Sequence, residues 1–158
     1  MKSQPNIHLL IRFSDTLIKT GDTISAHNAV VSQAGAVWFG KMGSTIRQEA
    51  FDRLNQQVEN GISTYIYLVK GNRRKSTAYR AHLIQAAKIV PEAERGMIPA
   101  YYQELDLIKY MKAWVKLGEI QPISGSELDQ LKVASSVLPI HETLKRSSTG
   151  HFVLVNKI

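Results

Sequence analysis

Thr64-Tyr65-Ile66-Tyr67-Leu68-Val69, then Lys70-Gly71-Asn72-Arg73-Arg74-Lys75-Ser76, then Ala78 to Val90, form the stretch on which the fold class turns. Its first six residues are β-branched, aromatic or aliphatic, the composition of a strand. In its last part Tyr79, Ala81, Leu83 and Gln85 alternate with Arg80, His82 and Ile84, the two-residue period of a second strand. A loop with four cations, Lys70, Arg73, Arg74 and Lys75, joins the two. Working outward, Asn6 to Phe13 reads as a first strand and Ser25 to Ala34 as a helix stopped by Gly35. Ala36-Val37-Trp38-Phe39 is a short strand ending at Gly40. Thr45 and Gln48 match the capping-box pattern of a helix carrying Ile46, Ala50, Leu54 and Val58 on one face, closed by Gly61.

Beyond the second strand, residues 91 to 102 read as irregular. Met111 to Ile123 reads as a strand bent at Gly118. A short helix starts at Ser126, or at Ser124 with Glu127 three residues on, and runs through Leu131. His151 to Val155 is a last strand. Strands outnumber helices and the helices fall between them. This predicts an α+β fold, a curled mixed β-sheet or open β-barrel flanked by helices. With 158 residues and no linker-like segment, residues 1–158 read as a single domain.

Composition narrows the function. A 44% hydrophobic and 21% charged chain has ordinary globular proportions. No apolar run approaches the roughly 20 residues that span a bilayer, and the N-terminus lacks the features of a signal peptide. The chain has no cysteine, which excludes disulfides, thiolate zinc sites and thiol catalysis and fits a cytoplasmic location. Twenty Lys and Arg against thirteen Asp and Glu give a formal +7, which suits a polyanionic partner. Incidental basicity accounts for the same number.

Catalytic templates are missing: there is no P-loop, G-x-G-x-x-G, G-x-S-x-G or H-E-x-x-H. The histidines at 8, 27, 82, 141 and 151 never pair at ligand spacing, so each reads as an ordinary surface or half-buried imidazole. His141-Glu142 is the one pair suited to acid–base work. No enzyme activity, cofactor, metal or membrane partner is therefore expected. Two features look like recognition instead. The loop with Arg73, Arg74 and Lys75 has the charge to lie along a phosphate backbone, or to act as a solvated hairpin tip that discourages edge pairing. The aromatic set Trp38, Phe39, Tyr101, Tyr102 and Trp114 suits base stacking or, residue by residue, the core. Trp38 stands apart because it ends a strand beside Gly40, where a rigid indole can face a cavity.

The order of these residues resembles the YTH domain pattern. Gly35-Ala36-Val37-Trp38, a helix, Gly61 to Val69 and Ala78 to Ala86 follow one another as they do in that family. Ala113-Trp114-Val115-Lys116 resembles its W-I/V strand, and Leu138-Pro139-Ile140 with Lys145 to Gly150 resembles its P-V…R-D-G-Q segment. The chain departs from that segment, with Ser-Ser-Thr-Gly-His in place of Arg-Asp-Gly-Gln-Glu. The EVE-like relatives of the wider PUA-like group are the nearer match, and the resemblance covers about residues 7 to 156. It implies a reader that flips a modified base, a methylated one, out of DNA into an aromatic cage. It further implies the targeting part of a modification-dependent restriction or defence system, fused to or associated with a GTPase or nuclease. By position, Trp38 matches the first cage tryptophan with Phe39 beside it. Tyr101 or Tyr102 falls where the family has a second Trp. Arg12, Phe13 and Ser14 match the stretch that touches base and backbone, and Lys145 and Arg146 match the phosphate-binding position. Trp114 matches a structural strand residue. Two alternatives stay open: an RNA-binding PUA-like module acting on tRNA or rRNA, and a small enzyme or protein-interaction domain.

Overall fold

A computed structural model of the chain describes residues 5–15, 22–71, 76–136, 140–146 and 150–156. Among them are eight strands: β1 (His8–Phe13), β2 (Val37–Lys41), β3 (Tyr65–Gly71), β4 (Ser76–Ala87), β5 (Ala113–Leu117), β6 (Gln121–Ile123), β7 (Leu131–Val133) and β8 (His151–Asn156). Five α-helices fall between them: α1 (Thr23–Ala34), α2 (Gln48–Glu59), α3 (Ala100–Glu104), α4 (Gly125–Leu128) and α5 (Ile140–Arg146). The strands make one open mixed sheet in the order β2-β5-β4-β3-β1-β8-β7, with β6 also paired to β4. Only β1 and β3 run parallel, and the other pairs are antiparallel. The expected architecture, a curled mixed sheet flanked by helices, is the one found.

Alternation sorts the side chains onto two faces. Leu9 and Ile11 of β1, Ile66 and Leu68 of β3, Ala81 and Leu83 of β4 and Val115 and Leu117 of β5 pack with Phe51 and Leu54 of α2 in the main core. On the opposite face Leu10, Tyr67, Val69 and Leu154 pack under α4, β7 and α5 through Leu128, Leu131 and Ile140. The sheet is strongly curled. Three strands separate β2 from β1, yet Phe39 of β2 meets Phe13 of β1 with ring centroids 6.2 Å apart. Side-chain amides pin the helices to backbone that the ladders leave free. Asn28 brackets Ile120 at 2.8 and 2.9 Å, and Asn55 does the same to Ala86. The buried Gln57 holds both backbone groups of Ile7 and the hydroxyl of Thr64.

Several local expectations are corrected. The Thr45–Gln48 capping box does not form; Arg47 is the N-cap with no side-chain bond, and Gln48 donates to Asp52 instead. Asp22 caps α1 by accepting from Ser25, so that helix starts two residues earlier than read. Gly35 ends it at φ 86°, a conformation that favours glycine. Register slips between Leu83 and Gln85, so Ala86 rather than Gln85 continues the inward face. Ile84 is exposed, on the outward face that alternation gives it. Residues 91–102 are ordered: a 3₁₀ turn spans Glu92–Met97 and α3 begins at Ala100. Met111 to Ile123 is two strands, β5 and β6, rather than one. The helix at Ser124 ends at Leu128, and Leu131 opens β7.

Candidate nucleic-acid interface

The edge strand β2 carries the aromatic cluster. Phe39 faces the main core, and alternation turns Trp38 outward, where it packs with Trp114 of β5, Tyr102 of α3 and Val90. Tyr102 closes the free edge of β2: its hydroxyl accepts from the Gly40 backbone N–H at 3.0 Å. The close approach depends on Gly40 having no side chain, since a Cβ there would lie 2.8 Å from the Tyr102 ring and 2.7 Å from the Met111 sulfur.

His27 of α1 joins this cluster to the core and lies fully buried, contrary to the expected surface or half-buried imidazole. Its Nδ1 lies 2.7 Å from the Thr23 carbonyl, which only accepts, so Nδ1 carries the proton. Its Nε2 then accepts from the Tyr102 hydroxyl at 2.8 Å. The imidazole also stacks on Phe39 at 4.4 Å. Burial pushes the His27 pKa down to about 4 despite the Thr23 bond, which opposes the shift. Burial likewise lifts the Tyr101 hydroxyl to about 12 and that of Tyr102 well above its ordinary value, so this network is neutral near pH 7.

Phe13, Phe39, Tyr101 and Tyr102 are thus brought together around His27, and Trp38 and Trp114 adjoin them. The expectation that Trp38 lines an opening is not met, because its ring is 0% exposed. Tyr102 and Trp114 occupy the side on which a cage would open. The indole Nε1–H is buried with no acceptor among the described residues. Phe13 and Tyr101 are half-buried and form the accessible rim of the cluster, and Ser14 beside Phe13 is exposed. Trp114 is buried, as assigned.

The cations divide. Arg12, expected at a phosphate, has its guanidinium donating to the Leu144 carbonyl in the last turn of α5 and lying over the Phe152 ring. It therefore fastens β1 to α5. Lys70 pairs with Asp15 at 2.6 Å, Arg80 with Glu127 at 3.0 Å and Lys109 with Asp106 at 2.7 Å, and Lys116 pairs with Glu94. Arg73, Arg74 and Lys75 lie outside the described residues, as do the side chains of Lys145 and Arg146. The first three join β3 to β4, and the last two end α5.

Lys41, which the sequence reading passed over, is 3% exposed. Its ammonium donates to the carbonyls of Met42 and Ser44. It alternates with Val37 and Phe39, an inward position that was legible had β2 been read two residues longer. Among the described residues no three His, Asp or Glu gather as a metal site, and no helix is long and apolar enough to cross a membrane.

A curled mixed sheet with outlying helices, an aromatic cluster on its edge strand and an excess of cations defines an α+β domain suited to a polyanionic partner. A family model described as Pua-like matches residues 9–152, and the chain belongs to this Pua-like family. It is a PUA-like module of the nucleic-acid-binding kind. No curated protein and no solved structure matches the chain.

Proposed function

We propose that this chain binds nucleic acid without catalysis of its own and recognises a modified, methylated base in DNA, as the targeting part of a defence system with a GTPase or nuclease partner. The observation that carries the reading is the continuous aromatic cluster, anchored at Trp38 and accessible at Phe13 and Tyr101, in a Pua-like chain of formal charge +7. A flipped base stacks first on the rim. It reaches Trp38 only if α3, which carries Tyr102, swings away from β2. Such a movement breaks the bonds from Tyr102 to His27 and Gly40 and gives the Trp38 Nε1–H room to meet an acceptor on the base edge. Unstacking a base costs a few kcal/mol, and aromatic stacking returns about 1–3 kcal/mol per base.

The test is titration of duplexes that differ by one methylated base, with RNA of the same sequence as a competitor. Tighter binding of the methylated DNA, lost in Tyr101→Ala, supports the reading. Equal affinity for methylated and plain duplexes removes base reading, and preference for RNA moves the chain to a tRNA- or rRNA-binding role through the 2′-OH. Absence of binding at moderate salt removes the nucleic-acid reading altogether.

A further inference from the structure

Curling of the sheet brings the end of β2 to the start of β8. His151 lies on the inner face of β8, because Val153 and Val155, two and four residues on, pack against the main core. Lys41 lies on the inner face of β2 by the same rule, after Val37 and Phe39. Two basic side chains thus point inward where alternation calls for apolar ones. Burial depresses the His151 pKa, and the Lys41 ammonium is close enough to add to the effect.

Neither basic group has a carboxylate partner among the described residues. Lys41 satisfies two of its three N–H donors with the Met42 and Ser44 carbonyls. The Nδ1 of His151 is buried with no hydrogen-bond partner among the described residues. Gly150 lies beside the ammonium: a Cβ built on it would sit 3.7 Å from the Lys41 Nζ, so the missing side chain leaves space there. Gly150 and His151 are themselves only half-buried, which keeps that space reachable. A buried ammonium facing only neutral carbonyls is costly. An anion seated beside Gly150 would receive the third Lys41 N–H and the His151 Nδ1–H.

We infer that Lys41, His151 and the side-chain-free Gly150 form a seat for one phosphate group. The choice of phosphate among anions rests on the nucleic-acid reading above. The site differs from every cation read from the sequence, and it uses charges held rigidly by β2 and β8.

The experiment follows the His151 ring by proton–nitrogen NMR in the full chain. One titration uses inorganic phosphate, and a second uses a short 5′-phosphorylated single-stranded oligonucleotide. Three proteins are compared: the wild type, Lys41→Met and Gly150→Val. Val is compatible with the backbone at 150, whose φ lies outside the left-handed region, and it fills the space while keeping both bases. Thermal melts establish that each variant is folded. The expected result is a saturable shift of the His151 ring in the wild type, with its titration moved to higher pH as the anion offsets Lys41. Affinity should fall at least about tenfold, about 1.4 kcal/mol, in either variant. If phosphate gives this pattern and the oligonucleotide does not bind, the seat stands and the nucleic-acid reading fails. If the oligonucleotide binds all three proteins equally and leaves the His151 ring unmoved, the seat is overturned while that reading survives. Silence in both titrations overturns both.

Discussion

Acid should unfold this protein through His27, and the size of the effect follows from the site. The imidazole is neutral in the fold, with a pKa of about 4 against an ordinary 6.5. Protonation would place a charge against Phe39 and turn Nε2 into a donor. The Tyr102 hydroxyl would then receive N–H groups from both His27 and Gly40, and its own O–H bond to the imidazole would have to be given up for the neighbouring Tyr101 hydroxyl. Between pH 6.5 and 4 the unfolded chain binds a proton that the folded chain refuses, so stability falls as pH drops through that window. It is fully present above 6.5. Linkage gives a loss of about 1.4 kcal/mol at pH 5.5 and about 2.5 kcal/mol at pH 4.5 relative to neutral pH.

The assay is urea unfolding followed by tryptophan fluorescence at pH 7.5, 5.5 and 4.5, for the wild type and His27→Gln. His8 and His151 are also depressed by burial and steepen both profiles alike, so the difference between the two proteins isolates His27. Gln retains an amide that can accept from Tyr102 but does not titrate. The variant should start less stable at pH 7.5 and lose about 2.5 kcal/mol less than the wild type by pH 4.5. Parallel profiles would mean that His27 is either not neutral or not buried in solution, and the proposed network would be wrong.

Gly40→Ala forces a Cβ against Tyr102 and Met111 and should cost about 1–3 kcal/mol, read as a lowered Tm; an unchanged Tm would show that α3 does not pack on β2 as described. Gln57→Leu strands the two backbone groups of Ile7 in the interior, while the Thr64 hydroxyl keeps its bond to the Ile62 carbonyl. At about 1–3 kcal/mol for each orphaned group, it should be among the most damaging single changes, measured by urea midpoint. Arg12→Met removes the link to Leu144 and should destabilise the fold, while leaving the salt dependence of DNA binding as it was. A flatter salt slope in that variant would restore Arg12 to the phosphate contacts. Tyr101→Ala, on the accessible rim, should weaken binding of methylated DNA with little change in Tm.

The elements legible in the sequence are those with a strong local signal, an apolar run of strand length or a clear period. β1 and β3 are legible as apolar runs of strand length, β4 by its alternation, and α2 by the apolar residues recurring on one face. The slip at Leu83–Gln85 is not, because alternation is blind to an inserted residue until the partner strand is known. α3 and the turn before it span only Glu92–Glu104, too short for a helical period to emerge. They are held by tertiary contacts such as the Tyr102 hydroxyl, which no local window contains. β7 has three residues and exists because β8 offers it an edge. The Thr45 box failed for a related reason: a capping pattern states what a helix start can use, and the chain entering α2 places Arg47 there instead.

The candidate site was half legible, and the missing half changes its meaning. Composition and residue order pointed to aromatic and basic groups, and the fold assembles the aromatic ones as a single cluster. Sequence order alone gave Trp38 an open face. Its strand, however, is at the sheet edge, and an edge must be covered; Tyr102 covers it and Trp114 backs it. The hub of the arrangement is His27, some 75 positions from Tyr102 along the chain, a separation over which no spacing rule operates. Any base that reaches the indole must therefore compete with Tyr102 for the edge of β2. Burial holds His27 neutral, and the hydroxyl that donates to its Nε2 also closes the edge of β2 beside Trp38. It follows that weakening this contact should loosen base access and acid stability together. Tyr102→Phe, which deletes one oxygen and keeps the ring, should lower Tm, shrink the His27 difference between pH 7.5 and 4.5, and speed association with methylated DNA. A variant that lost stability but bound at the wild-type rate would separate the two, and Tyr102 would then be a structural latch with no part in recognition.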